Sequence, residues 1–132
     1  YEIEKSSYFT DEKIDFIDKN FSGNIHEIYN NIQAVNDQFD LLDKLQHRCP
    51  MSLAVTALLL KDSSNRSLKD CLEMEYRLSQ KMTNRNDFGE GIKAVLIEKH
   101  HNPKWKPSSI NEISNRELDK LFNEPINNEL KL

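Results

Sequence analysis

Pro50 opens a run, Met51-Ser52-Leu53-Ala54-Val55-Thr56-Ala57-Leu58-Leu59-Leu60, that is apolar nearly all the way round. Proline suits the first turn of a helix, where its missing N–H has no intrahelical acceptor to lose. A helix that is apolar on every side belongs in a centre, covered from several directions. Other segments must supply that cover. The chain has only three glycines, Gly23, Gly89 and Gly91. Sheets joined by tight hairpins need more turn residues than this. No stretch keeps an apolar/polar alternation for the length of a strand. The reading is an all-α chain of about seven helices.

The covering helices carry start and stop signals. Thr10 is a good N-cap with Asp11 and Glu12 behind it. Phe9 can staple onto Ile14, and Ile14, Ile17 and Phe21 follow at helical spacing. Gly23 supplies a left-handed stop. Asn24 caps a second helix with Ile25, Ile28, Tyr29 and Ile32 on one face. Asp37 can start a third, with Phe39, Leu42 and Leu45, which ends before Pro50. After the polar stretch Lys61–Arg66, Ser67 and Asp70 resemble a capping box for a long fifth helix through Met74, Leu78 and Met82. Asp87, with Glu90 three residues on, reads as the capping box of a sixth. Its core face is expected to be Phe88, Ile92, Val95 and Leu96. Gly91 inside that helix costs about 1 kcal/mol relative to alanine, which points to a closely approaching neighbour. His101–Ser109 cannot be helical, because Pro103 and Pro107 bracket the only tryptophan, Trp105. Ser114 and Glu117 open a seventh helix with Leu118, Leu121 and Phe122, and Pro125 ends it.

Composition narrows the function. Of 132 residues, 18 are Lys or Arg and 22 Asp or Glu, for a net charge of -4. No nucleic-acid partner is expected, since that surface needs clustered positive charge. No membrane partner is expected either, because no apolar run approaches the roughly 18 residues of a spanning helix. Tyr1–Ser7 has no apolar stretch of a signal peptide. Cys49 and Cys71 read as free core thiols, and His26, His47, His100 and His101 lack zinc-site spacing. Glu73 and Glu75 lie two apart and so do not share a helix face. Asp87-Phe88-Gly89 lacks the surroundings of a kinase metal loop. No catalytic residue and no metal ligand is assigned. One constellation has positive content: Lys93, Lys99, Lys104 and Lys106 crowd around Trp105. Lysines beside a ring can hold a phosphate. The favoured alternative is that Trp105 pins the extended segment while the lysines stay in water.

Three stretches carry a family resemblance: Cys49–Thr56, Met74-Glu75-Tyr76-Arg77-Leu78-Ser79-Gln80, and Asp87–Lys99 continuing into Asn102-Pro103-Lys104-Trp105-Lys106-Pro107. From about Tyr8 onward the chain resembles the C-terminal part of the 3-hydroxyisobutyryl-CoA hydrolases, a branch of the enoyl-CoA hydratase/isomerase (crotonase) superfamily. The resemblance implies one domain, 1–132, the helical C-terminal portion of a crotonase-like α/β enzyme. Residues 8–98 would form a helical bundle, and 99–132 an extended Pro/Trp segment, a short helix and a tail. It implies a mitochondrial enzyme of valine breakdown that hydrolyses an acyl-CoA thioester. Its oxyanion hole and carboxylates belong to the family's N-terminal core, so this chain alone is expected to be inactive. The expected partners are that core and the acyl-CoA substrate, with no further cofactor. Glu90, Gly91 and Ala94 match the family's E-G-x-x-A helix pattern, and Val95 stands where an aromatic is usual. Lys99 is the implied contact to a coenzyme A phosphate. Two alternatives are a non-catalytic crotonase-like component of the mitochondrial ribosome's small subunit and an unrelated helical interaction module. The low apolar share, 37%, fits a chain whose apolar surface meets another domain.

Overall fold

The computed structural model describes residues 9–35 and 39–132. Their order is α1 (Asp11–Asn20), α2 (Ile25–Ala34), α3 (Leu41–Gln46), α4 (Pro50–Ser63), α5 (Leu68–Thr83), α6 (Asn86–Ile92), a π-helical turn (Lys93–Ile97), a 3-10 turn (Ile110–Glu112) and α7 (Asn115–Asn123). The expectation of an all-α chain of about seven helices needs correction. Two further helical turns lie among the described residues, and the expected sixth helix is not a single α-helix. It changes at Lys93 into a π turn in which the Glu98 N–H donates to the Lys93 carbonyl at 2.8 Å. The expected start of α3 at Asp37 lies outside the described residues.

Local chemistry accounts for most boundaries. The Thr10 hydroxyl accepts from the Lys13 N–H at 3.3 Å and caps α1. Asn24 caps α2, and Glu27 reaches back to the Asn24 N–H at 2.7 Å. Gly23, at φ +103°, is needed beside that box. A Cβ there would sit 2.2 Å from Glu27 Oε2. Ser67 and Ser114 cap α5 and α7. Pro50 stands in the first turn of α4, as expected, but α4 runs on to Ser63, past the expected loop start at Lys61.

The core gathers at one end of α4. Met51, Ala54 and Val55 are buried with Ile25 of α2, Met74 and Leu78 of α5, Ile110, Ile113, and Leu118 and Phe122 of α7. Met51 and Ile32 have no exposed surface. Further along α4, Leu58 and Leu59 are half-buried and pack against the edge of this core, while Leu60 is 68% exposed. The run that looked apolar all round is thus buried over its first two turns, partly covered in the next and bare at Leu60.

A row of cations on one side of α5 ties the later elements to this core. Arg77 and Lys81, spaced by four, share one face of α5, and Arg85 follows just past its end. Arg77 donates to the Phe122 carbonyl at 3.2 Å and to Glu129 Oε1 at 2.8 Å. The Lys81 ammonium donates to the carbonyls of Lys120 at 2.9 Å, Leu121 at 2.7 Å, and Glu124. These carbonyls lie at the end of α7, where acceptors outnumber intrahelical donors. That of Lys120 also accepts the Glu124 N–H at 3.1 Å, and a cation there opposes the helix dipole. Burial pushes the Lys81 amine below its ordinary value, while Glu124 pulls it up. Glu129 also accepts from the Ile126 N–H at 2.9 Å. The polar tail is therefore fastened, and the Leu132 N–H reaches Glu73 at 2.9 Å.

Met51→Ala should cost about 2–5 kcal/mol in chemical denaturation, whereas Leu60→Ala should stay within about 0.5 kcal/mol. The hydrogen bond from Arg77, then that from Ile126, holds the Glu129 carboxyl below its usual range. Its folded pKa is thus below the unfolded one, so its contribution is present above the unfolded value and is lost as pH falls through the folded value. Glu129→Gln should flatten the fall in stability on acidification, read as melting temperature against pH.

Candidate functional site

The segment from Arg85 to Pro107 is the part of the chain built around unusual backbone. Gly91 lies under the indole of Trp105; a Cβ at Gly91 would be 3.2 Å from Trp105 Cη2 and 3.5 Å from Cζ3. That is the close neighbour its place inside a helix pointed to. Trp105 is half-buried, and it reaches α6 from the extended segment.

Asp87 and Glu90 do not form the expected capping box. The helix begins two residues earlier than that box requires, at Asn86, and Arg85 occupies the cap position without a side-chain bond. The Asp87 carboxylate instead accepts the Lys106 N–H at 2.7 Å, and Glu90 accepts the Lys104 N–H at 2.8 Å. The physical reason is the demand of the extended segment. Backbone donors outside regular structure need acceptors of their own, and carboxylates three apart on a helix supply two on one face. Arg85 completes the attachment. Its Nη2 donates to the Lys106 carbonyl at 3.2 Å, and its Nη1 donates to Glu117 Oε1 at 3.0 Å. Glu117 thereby leaves the reciprocal role in the α7 capping box that the sequence offered it.

The lysines do not form one cluster. Lys93 pairs with Glu98 at 3.1 Å, and His100 Nε2 lies 2.9 Å from the other Glu98 oxygen. The Lys93 hydrogen bond, then the one from His100, holds the Glu98 carboxyl below the usual range. Lys104 and Lys106 have exposed side chains and anchored backbones. Lys99 is exposed just beyond the π turn, in the left-handed region at φ 56°. Arg85 escaped the sequence reading altogether; it sits between α5 and α6, where no periodicity marks it.

The outer face of this segment is apolar and uncovered. Phe88, Ile92 and Val95 are 40–49% exposed, while Leu96 and Ile97 reach 67% and 70%. The expected core face of the sixth helix is therefore a surface. The physical cause is placement: this helical segment packs through Gly91 of α6 and Ala94 of the π turn, and its larger side chains are left exposed. A second apolar groove of about 500 Å³ lies between α1, α2 and α4, lined by Ile17, Phe21, Ile28, Leu53, Ala57 and Leu60. Cys49 and Cys71 are free thiols. No cluster of metal-ligating side chains occurs among the described residues. No helix there is long and apolar enough to cross a membrane.

Residues 2–122 match the family model described as enoyl-CoA hydratase/isomerase. The chain belongs to the enoyl-CoA hydratase/isomerase family. Among curated proteins it is 38% identical over 135 residues to the mitochondrial 3-hydroxyisobutyryl-CoA hydrolase of Xenopus laevis. That match takes in 100% of this chain and 35% of the relative. The human mitochondrial hydrolase is 38% identical over 128 residues, covering 95% of this chain and 33% of the relative. Of solved structures, a carnitinyl-CoA dehydratase from Mycobacterium thermoresistibile superposes with a TM-score of 0.77 at 28% identity. It covers 91% of this chain and 35% of that one. An enoyl-CoA hydratase from Rhodobacter sphaeroides 2.4.1 gives 0.75 at 27%, covering 83% and 34%. The chain thus spans about a third of the length of the relatives it matches. This also corrects the fold class: helices that overlay on a third of these larger family members are not an all-α fold in their own right.

Trp105→Ala should lower the melting temperature of this chain. Its cost should fall below the roughly 3–5 kcal/mol of a fully buried aromatic, since the ring is only half-buried.

Proposed function

We propose that the chain is the helical C-terminal portion of a mitochondrial 3-hydroxyisobutyryl-CoA hydrolase. It packs its bare apolar faces on a catalytic core and contributes Lys99 to a phosphate of coenzyme A. The carrying observation is the match of the whole chain to such hydrolases. The uncovered faces around Leu60 and around Leu96 and Ile97 support it, since contiguous apolar surface of this kind marks an interaction site. The reaction is the addition of water across a thioester, giving the free acid and the thiol of coenzyme A. It requires donors aimed at the developing oxyanion and a base for water. The hydrogen-bonded histidines here face other groups: His47 meets Asp43, and His100 meets Glu98 and the Asn102 N–H. Neither addresses a serine or cysteine. The chemistry accordingly belongs to the core, and this chain closes the site and holds the substrate. An exposed ammonium such as Lys99 interacts with a phosphate through a salt-screened attraction.

The test is a chimera in which this chain replaces the matching third of the Xenopus laevis hydrolase. It should release thiol from 3-hydroxyisobutyryl-CoA, while this chain alone should not exceed background. Lys99→Ala in the chimera should raise KM at low salt and leave kcat near its original value. Thiol release by the isolated chain, or a silent chimera that is folded, would overturn the reading.

A further inference from the structure

We propose that Asp87 is a positioning residue. With Glu90 and Arg85 it clamps the Lys104–Lys106 strap to α6 and thereby fixes the loop that carries Lys99. The importance given to that loop rests on the reading of Lys99 as a phosphate contact.

The clamp grips backbone at alternate residues. In an extended chain, residues two apart direct equivalent groups to the same side. The Lys104 and Lys106 N–H groups meet Glu90 and Asp87 at 2.8 and 2.7 Å, and Arg85 takes the Lys106 carbonyl at 3.2 Å. Both backbone polar groups of Lys106 are held by side chains. Between them the Trp105 indole covers Gly91 of the same helix, α6. The strap cannot slip by one residue without presenting a lysine to Gly91 and losing both carboxylate bonds.

Asp87 is the buried member, only 6% exposed. A buried carboxylate is costly unless a charge faces it, and Arg85 Nε lies 3.7 Å from its Oδ2. Those two atoms make no hydrogen bond of their own. The pair therefore attracts by charge, while its directional bonds are spent on Lys106 and Glu117.

The loop between the π turn and the strap needs such restraint. Lys99 and His101 both have positive φ, 56° and 55°. Non-glycine residues hold that conformation only where the surroundings over-determine it. One end of the loop is tied by the Glu98 N–H to Lys93 and the His101 N–H to Ala94, at 2.8 and 3.1 Å. The other end is tied by the clamp. Both ends are thus attached to one continuous helical segment, at its start and at its finish, and the position of Lys99 is set between them.

Amide hydrogen exchange and Trp105 emission in this chain test the clamp. Asp87→Ala should speed exchange at the Lys104, Lys106 and His101 amides by about tenfold or more, as local opening does. Trp105 emission should shift to the red, while the Leu78 amide keeps its rate. Asp87→Asn retains an acceptor oxygen and should restore much of the Lys106 protection. Should Asp87→Ala fail to fold, Glu90→Ala carries the test, because it removes only the acceptor of Lys104. The same local pattern is expected there, centred on Lys104 and His101. Unchanged strap and loop amides in a folded variant would overturn the proposal. So would acceleration spread evenly over α2 and α5, the mark of mere destabilisation. Lys99→Ala should leave every one of these readouts unmoved, so the clamp and the phosphate reading fail separately.

Discussion

Burial of the first two turns of α4 is the constraint on which the other elements depend. Met51, Ala54 and Val55 fill the place where α2, α5, the 3-10 turn and α7 converge. Short helices of seven to ten residues, such as α2, α6 and α7, are marginal by themselves in water. Their stability comes from packing on a neighbour: α2 meets α4, while α6 and α7 meet α5. Helix α4 itself is left bare at Leu60.

On that core a second level of order is polar. The cations at 77, 81 and 85 each collect a carbonyl from a later part of the chain, and their carboxylate partners Glu129 and Glu117 follow. Asp87 and Glu90 then fasten the strap. Such bonds add little net energy individually, about 0.5–1.5 kcal/mol, but they choose one register for segments that have no ladder of their own. Trp105 and Gly91 add shape to that choice. The strap is thus held by side chains rather than by its own secondary structure.

Much of this was legible in the sequence wherever the deciding interaction was local. Thr10, Asn24, Ser67 and Ser114 cap the helices they were expected to cap, because an N-cap acts within three residues. Trp105 as an anchor and Gly91 as a close approach were legible because prolines and a helical glycine each restrict their neighbours. What failed were readings in which a local rule competed with a distant partner. Asp87 and Glu90 have the spacing of a capping box, but the unpaired N–H groups of the strap claim them. Phe88, Ile92, Val95 and Leu96 have core periodicity, yet the contact of α6 runs through its small residues, and periodicity does not say which chain covers a face. The change to a π turn at Lys93 had no signal in the pattern. The lysines around Trp105 looked like one cluster in sequence, whereas Glu98 removes Lys93 from it.

The central claim is that the two bare apolar faces are covered by a hydrolase core. Hydroxyl-radical footprinting measures this directly, by comparing this chain alone with the Xenopus laevis hydrolase chimera that contains it. The account predicts strong protection of Phe21, Leu60, Leu96 and Ile97 in the chimera, with Leu68, the first residue of α5 and 77% exposed, as a site free to stay reactive. Equal oxidation of those four side chains in the two proteins would contradict it.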